Sequence, residues 1–283
     1  MPARARAWIA LLRPRHWIKN AFVLAPTVFA GLATSRSAQG DALLAAVLFS
    51  LAASAVYVLN DIVDVERDRL HPLKRVSRPI ASGAVSQRAA AVVAVALVIV
   101  TFVGSLALPA VLLPIGAYVA LNVAYSLRLK EVAVVDLFCV ASGFVLRVYA
   151  GARAVNVPLS EWMLVTTLAL ALFLAAVKRR QELVAVGGDA RAVLGSYTLS
   201  LLDGYAQVAA AATIVFYSLY VISVRPQLVA SIPLVLFGIF RYGYLVQVRQ
   251  VGESPTDAVW TDLPLALTIL GWIAVAVWTL LPA

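Results

Sequence analysis

What most restricts this chain is the recurrence of apolar runs of about 20 residues, the length of helix that crosses a bilayer. Such runs fall at roughly 17–34, 41–59, 88–108, 110–127, 133–151, 159–177, 203–223, 227–246 and 262–281, and they nearly exhaust the 283 residues. Backbone amides in hydrocarbon have no water to bond, so each run is expected to close its hydrogen bonds internally as a helix. The sequence therefore predicts an all-α integral membrane protein, a bundle of nine transmembrane helices forming a single transmembrane domain over 1–283. Charged residues make up only 13% of the chain, about half the share in an average soluble domain. No room is left for a separate soluble domain.

The ends of the runs set an orientation. The formal charge is +9, but the Lys and Arg residues are dispersed over short loops instead of forming one patch, so no nucleic acid is expected as a partner. With the N-terminus in the cytoplasm, loops at about 60–88, 127–132 and 178–202 collect most of the cations. The opposite side receives only Arg36, Arg153 and Arg225, with Arg147 inside a span. This implies a multi-pass protein of the plasma (inner) membrane whose polar loops converge on the cytoplasmic side. Residues 4–12 suit a short interfacial helix. The following segment superficially resembles a secretory signal, but Pro14, Arg15, His16, Lys19 and Asn20 interrupt it, and a retained first span is expected. Cys139 is the only cysteine, so there is no intrachain disulfide, and its apolar surroundings mark it as a packing residue.

Against this background the stretch Asn60-Asp61-Ile62-Val63-Asp64-Val65-Glu66-Arg67-Asp68 stands out. On one helix, at about 100° per residue, Asp61, Asp64 and Asp68 share a face about 60° wide. Carboxylates so close repel one another, and hard oxygen donors in this arrangement suit Mg²⁺, which shares its shell with waters and substrate phosphates. Downstream, Lys74, Arg75 and Arg78 are candidates for further phosphate oxygens. The alternative is a solvated acidic helix end paired with its own Arg and Lys neighbours; ionisable clusters at membrane helix ends favour the functional reading.

Other polar positions add to the candidate set. Asp136 lies within a span, and Arg147 follows eleven residues later on nearly the same helix face, three turns away. Tyr125 and Lys130 close the fourth span, as interface anchors or as ligands. Lys178, Arg179 and Arg180 are placed for an additional phosphate. His16 and His71 are too scattered for a zinc set, and His71 is expected to hydrogen-bond locally in its loop.

Together, Asn60-Asp61-x-x-Asp64-x-x-x-Asp68, His71, Lys74, Arg75, Arg78-Pro79 and Ser82-Gly83 resemble the first signature of the UbiA superfamily of intramembrane prenyltransferases, and the helix count and the Tyr125–Lys130 loop agree. Aromatic prenyltransferases of that superfamily carry a second aspartate-rich motif after the sixth helix. Here the position reads Lys178-Arg179-Arg180-Gln181-Glu182, with Asp189 further on. That exchange, with Leu12-Arg13-Pro14-Arg15-His16-Trp17-Ile18-Lys19-Asn20, Gly252-Glu253-x-Pro255 and Asp262, resembles the polyprenyl-phosphate phosphoribosyltransferase branch.

The resemblance implies 5-phosphoribosyl 1-diphosphate as donor, a polyprenyl (decaprenyl) phosphate as acceptor, and a product that serves arabinan formation in cell walls. It further implies Mg²⁺ held by Asp61, Asp64 and Asp68 with Asn60 alongside, phosphate contacts from the cations, and Asp136 reaching the ribose. The lipid bilayer is a partner, and homo-oligomers are allowed. Two other readings are an aromatic prenyltransferase of the same superfamily and a transporter with Asp136 and Arg147 as pathway charges.

Overall fold

The computed structural model describes residues 3–72, 74–186, 193–249, 258 and 261–280. Every regular element among them is helical. Eight helices are long and apolar enough to cross a membrane. The first expected segment, 17–34, is a broken one: a 3-10 helix, Pro14–Val23, is followed by the short helix α2, Ala25–Phe29. The joint between the two is Leu24; Pro14 opens the 3-10 helix, and beyond α2 Gly31 turns the chain at φ 75°. The bundle thus has eight long helices plus this interrupted first segment among the described residues.

The chain packs as two compact units. The first contains residues 1–27, 35–129 and 146–157. Its centre is α3, Arg36–Val63, which packs against α1 (Ala3–Leu12), the 3-10 helix, α6 (Gln87–Ser105) and α7 (Leu112–Leu127). Two short helices, α4 (Val65–Leu70) and α5 (Lys74–Ser77), lie between α3 and α6. Alanines 45, 52 and 53 on α3 bring neighbouring backbones close around Phe49, Ile115 and Tyr118, packing that in lipid rests on van der Waals contact. Ser35 and Ser86 cap α3 and α6 by accepting from the amides of Ala38 and Ala89.

The second unit contains residues 28–34, 130–145 and 158–283. Here α9 (Glu161–Val186) packs along α10 (Leu199–Val224), and α11 (Ile232–Gln247) along α12 (Leu263–Leu280). Within it a buried polar trio is matched: the Tyr217 hydroxyl meets Ser231 Oγ at 2.6 Å and accepts from Trp272 Nε1 at 2.9 Å. Helix α8 (Val135–Ala154) gives its first half to the second unit and its second half to the first.

Candidate functional site

The acidic stretch does not lie on one helix. Helix α3 ends at Val63, Asp64 is its C-cap at φ −89°, ψ 3°, and α4 starts at Val65. The three carboxylates are thus divided: Asp61 on the last turn of α3, Asp64 at the junction and Asp68 on α4. Backbone bonds from Asp64 N to Asn60 O (2.9 Å) and from Asp68 N to Asp64 O (2.8 Å) carry the helical pattern across the joint.

Asp61 is 3% exposed and holds two guanidinium groups on a single oxygen. Arg13 and Arg78 both donate to Oδ1, Arg78 at 2.6 Å. The other oxygen, Oδ2, is buried with no hydrogen-bond partner, and so is Asn60 Oδ1 next to it in sequence. Arg13 reaches Asp61 from a left-handed backbone, φ 53°, that starts the 3-10 helix, and its guanidinium also lies 5.2 Å from the centre of the Tyr57 ring. Arg78 is delivered by the segment after α5. There, Gly83 at φ 79° closes the turn that leads into α6, with its amide on Ile80 O at 3.1 Å.

Asp68 is buried and faces Lys74 Nζ at 3.8 Å. Burial pushes its carboxyl above the ordinary range; Lys74 opposes that and Asp64 adds to it. His71 Nδ1 accepts the Lys74 amide at 3.4 Å, the local role expected of it. Arg75 is exposed on α5.

This arrangement corrects the expectation of a single helix face: the joint at Asp64 divides the three carboxylates between two helices. Among the described residues no three His, Cys, Asp or Glu side chains are gathered into one group. Two guanidiniums at Asp61 and an ammonium at Asp68 offset the charge of those carboxylates. The donor chemistry nevertheless fits a hard cation, since the groups left over, Asp61 Oδ2 and Asn60 Oδ1, are both oxygens.

Asn20 and Arg147 meet in the first unit. Arg147 Nε donates to Asn20 Oδ1 at 2.8 Å and Nη2 to the Tyr118 hydroxyl at 3.2 Å. Its guanidinium also lies 5.1 Å from the Phe49 ring centre and 4.8 Å from that of Tyr118. Asn20 Nδ2 in turn donates to Ser50 Oγ at 2.8 Å. Lys19, half-buried, precedes Asn20 on the 3-10 helix, and Tyr125, half-buried, ends α7. The approach depends on Gly151, where a Cβ would collide with the Val23 carbonyl oxygen.

A second polar cluster belongs to the second unit. Asp136, fully buried in the first turn of α8, accepts Arg179 Nε on Oδ2 and the Tyr197 hydroxyl on Oδ1, each at 2.6 Å. Tyr197 in turn accepts the Val134 amide at 2.6 Å, which ties down a β-branched residue at φ 67°. Burial and then the Asp136 hydrogen bond push the Tyr197 phenol up. Arg179 Nη1 also meets Glu182 at 2.7 Å, Lys178 Nζ lies 3.8 Å from Glu182, and Arg180 Nε meets Asp203 at 2.6 Å. The basic stretch therefore carries its own carboxylates. Lys130 is buried in the 3-10 turn Leu129–Glu131.

Sequence reasoning did not name Arg13, Tyr197 and Asp203 as site residues; Arg13 stood inside the quoted Leu12–Asn20 stretch, whereas nothing marked the other two. Asp262, noted in sequence, caps α12 by accepting the Leu265 amide at 2.9 Å and is gripped by Arg241 at 3.0 and 2.7 Å. That grip holds its carboxyl below the ordinary range. Asp189, Arg191 and Gly252-Glu253-x-Pro255 lie outside the described residues.

The UbiA prenyltransferase family matches residues 23–265. This chain belongs to that family. Among curated relatives, this UbiA protein is 38% identical to a decaprenyl-phosphate phosphoribosyltransferase of Mycobacterium tuberculosis, over 94% of this chain and 91% of the relative. It is 34% identical to a protein of the same name from Corynebacterium glutamicum, over 95% of this chain and 85% of the relative. A UbiA homologue from Archaeoglobus fulgidus, solved bound to DMAPP and Mg²⁺, shares the fold at TM-score 0.74 and 19% identity, over 96% of this chain and 98% of that one. The UbiA fold and a multi-pass membrane protein are the outcome expected from sequence.

Proposed function

We infer that this UbiA protein transfers a 5-phosphoribosyl group from 5-phosphoribosyl 1-diphosphate to a polyprenyl phosphate, releasing diphosphate. The observation that carries this is the 38% identity, over nearly the whole chain, to a decaprenyl-phosphate phosphoribosyltransferase. The reaction breaks the bond between C1 and the diphosphate oxygen, whose electron pair leaves with diphosphate, and forms a bond from C1 to an oxygen of the lipid phosphate. That phosphate is already an anion near neutral pH, so no strong general base is required.

Asp61, Asp64 and Asp68, with Asn60, are the groups that would hold Mg²⁺, and a bound divalent cation there supplies charge neutralisation for the departing diphosphate. The buried, unpartnered Asp61 Oδ2 and Asn60 Oδ1 support that reading. Arg13 and Arg78 are anchored on Asp61 and hold positive charge beside it, suited to diphosphate oxygens, and Lys74 does the same beside Asp68. Lys178 and Arg179 are proposed for the separate C5 phosphate on their chemistry, with Glu182 and Asp136 fixing the direction of Arg179. The unequal distribution of Lys and Arg supports placing the carboxylate loop on the cytoplasmic side of the plasma membrane.

The test incubates detergent-purified protein and Mg²⁺ with 5-phosphoribosyl 1-diphosphate plus polyprenyl phosphate, or with a prenyl diphosphate plus an aromatic acid, followed by mass spectrometry of the lipids. A phosphoribosylated lipid from the first mixture, lost on chelation, is the expected result. Product only from the second mixture would make it an aromatic prenyltransferase, and no covalent product from either would favour transport.

A further inference from the structure

In the second unit, α9, α10 and α11 leave a groove of about 400 Å³ between them, within the roughly 300–1,000 Å³ usual for sites that hold a small molecule. Small residues open it: Ala206, Ala210 and Ala211 on α10 and Gly243 on α11 bring the wall back to the helix backbones, with Phe173 and Ile239 as apolar lining. At one end only, the lining turns polar, with Arg180, Asp203, Gln207 and Gln247. These come from the C-terminal part of α9, the first turns of α10 and the last residue of α11, so the polar residues share one end of the three helices. From Asp203 to Ile214 the groove follows eleven residues of α10, about 16 Å at 1.5 Å per residue, close to half of a hydrocarbon core about 30 Å thick. It has the depth of one leaflet.

We propose that this groove is a binding site for a phospholipid of the phosphatidylethanolamine class, its acyl chain against the small residues, its phosphate on Arg180 and its primary ammonium on Asp203. The argument is charge complementarity. Arg180 and Asp203 form an ion pair at 2.6 Å that stays partly open to the surface, with side chains 18% and 28% exposed. A plus and a minus side by side at the mouth of an apolar channel match a head group that carries a minus and a plus side by side. A lipid with a purely anionic head can set its phosphate on Arg180 but brings no cation for Asp203, whose charge then opposes that phosphate. A choline head has the right charge but no N–H to donate to the carboxylate. The order of preference is therefore ethanolamine first, with choline and glycerol heads behind it. This inference goes beyond the transfer reaction and does not depend on it.

Native mass spectrometry of the full chain in detergent, titrated with phosphatidylethanolamine, phosphatidylcholine or phosphatidylglycerol of the same acyl composition, tests the site. The expected result is one saturable phosphatidylethanolamine adduct, about tenfold tighter than either competitor, the worth of one charge-assisted hydrogen bond. Ala210→Phe fills the channel and removes the adduct; if that variant does not fold, Ala211→Leu reads the same wall. Asp203→Asn lowers the binding of phosphatidylethanolamine to the level of phosphatidylcholine. Equal binding of the three lipids, tightest binding of phosphatidylglycerol, no saturable adduct, or an adduct that survives filling of the channel would each overturn the proposal.

Discussion

Asp61 and Asp136 are both almost wholly buried, and both meet arginine, yet their surroundings differ in one respect. At Asp136 each oxygen has a donor of its own, Arg179 on one and Tyr197 on the other. At Asp61 two guanidiniums crowd onto Oδ1 while Oδ2 has none. A buried polar atom without a partner costs about 1–3 kcal/mol, a cost tolerated where a ligand offsets it. On the proposed reaction, the comparison makes Asp136 the residue expected to hold a cation in place and Asp61 the one expected to take part in the chemistry.

Asp61→Asn is the sharpest way to test this. It is expected to lower lipid phosphoribosylation on the order of 10³-fold, about 4 kcal/mol, while the helical content is kept. Asp136→Asn should act the other way round, with the loss falling first on stability. Breaking its buried pair with Arg179 is expected to cost about 3–5 kcal/mol, read as a lower midpoint of thermal unfolding in detergent. A variant as stable as the parent but inactive would move Asp136 to the reacting side. Arg78→Gln removes one of the two cations from Asp61 and should reduce kcat/KM about tenfold, the worth of a hydrogen bond between charged groups.

Two smaller effects probe the scaffold of the second unit. Val134→Gly relieves a left-handed backbone worth about 1–2 kcal/mol and returns part of it as glycine's greater chain entropy, so a gain of under about 1 kcal/mol is expected in unfolding measurements. Asp262→Asn tests its link with Arg241 through pH. The folded Asp262 has a pKa below the ordinary 3.8, so the stability it contributes is fully present above that value and disappears as pH falls through the lower, folded one. The difference in stability between parent and variant should be constant near neutral pH and shrink below about pH 4.

The long helices were legible because a bilayer leaves an apolar run of 20 residues little other choice. The first segment was less so: hydropathy counts its apolar length and is blind to the joint at Leu24, where a 3-10 helix gives way to a short α-helix. The acidic stretch was visible as composition, but an unbroken helical wheel hid the joint at Asp64, where neither Gly nor Pro announces it. Partners were the hardest part. Arg13 finds Asp61 across 48 residues and Tyr197 finds Asp136 across 61, separations on which no periodicity bears. The same limit affected Lys178-Arg179-Arg180, which reads as a row of cations until Glu182 and Asp203 are seen beside it.

Gly151 carries a consequence for how the protein is made. The 3-10 helix at residues 14–23 leaves the ribosome well before α8, but Asn20 finds Arg147 only 127 residues later, and Val23 needs the bare face of Gly151 to settle against. That segment is thus synthesised ahead of its partners and seated late. Until α8 arrives, Asn20 waits at the membrane without its final partner, which makes that first segment a natural client for whatever shelters polar chain during insertion.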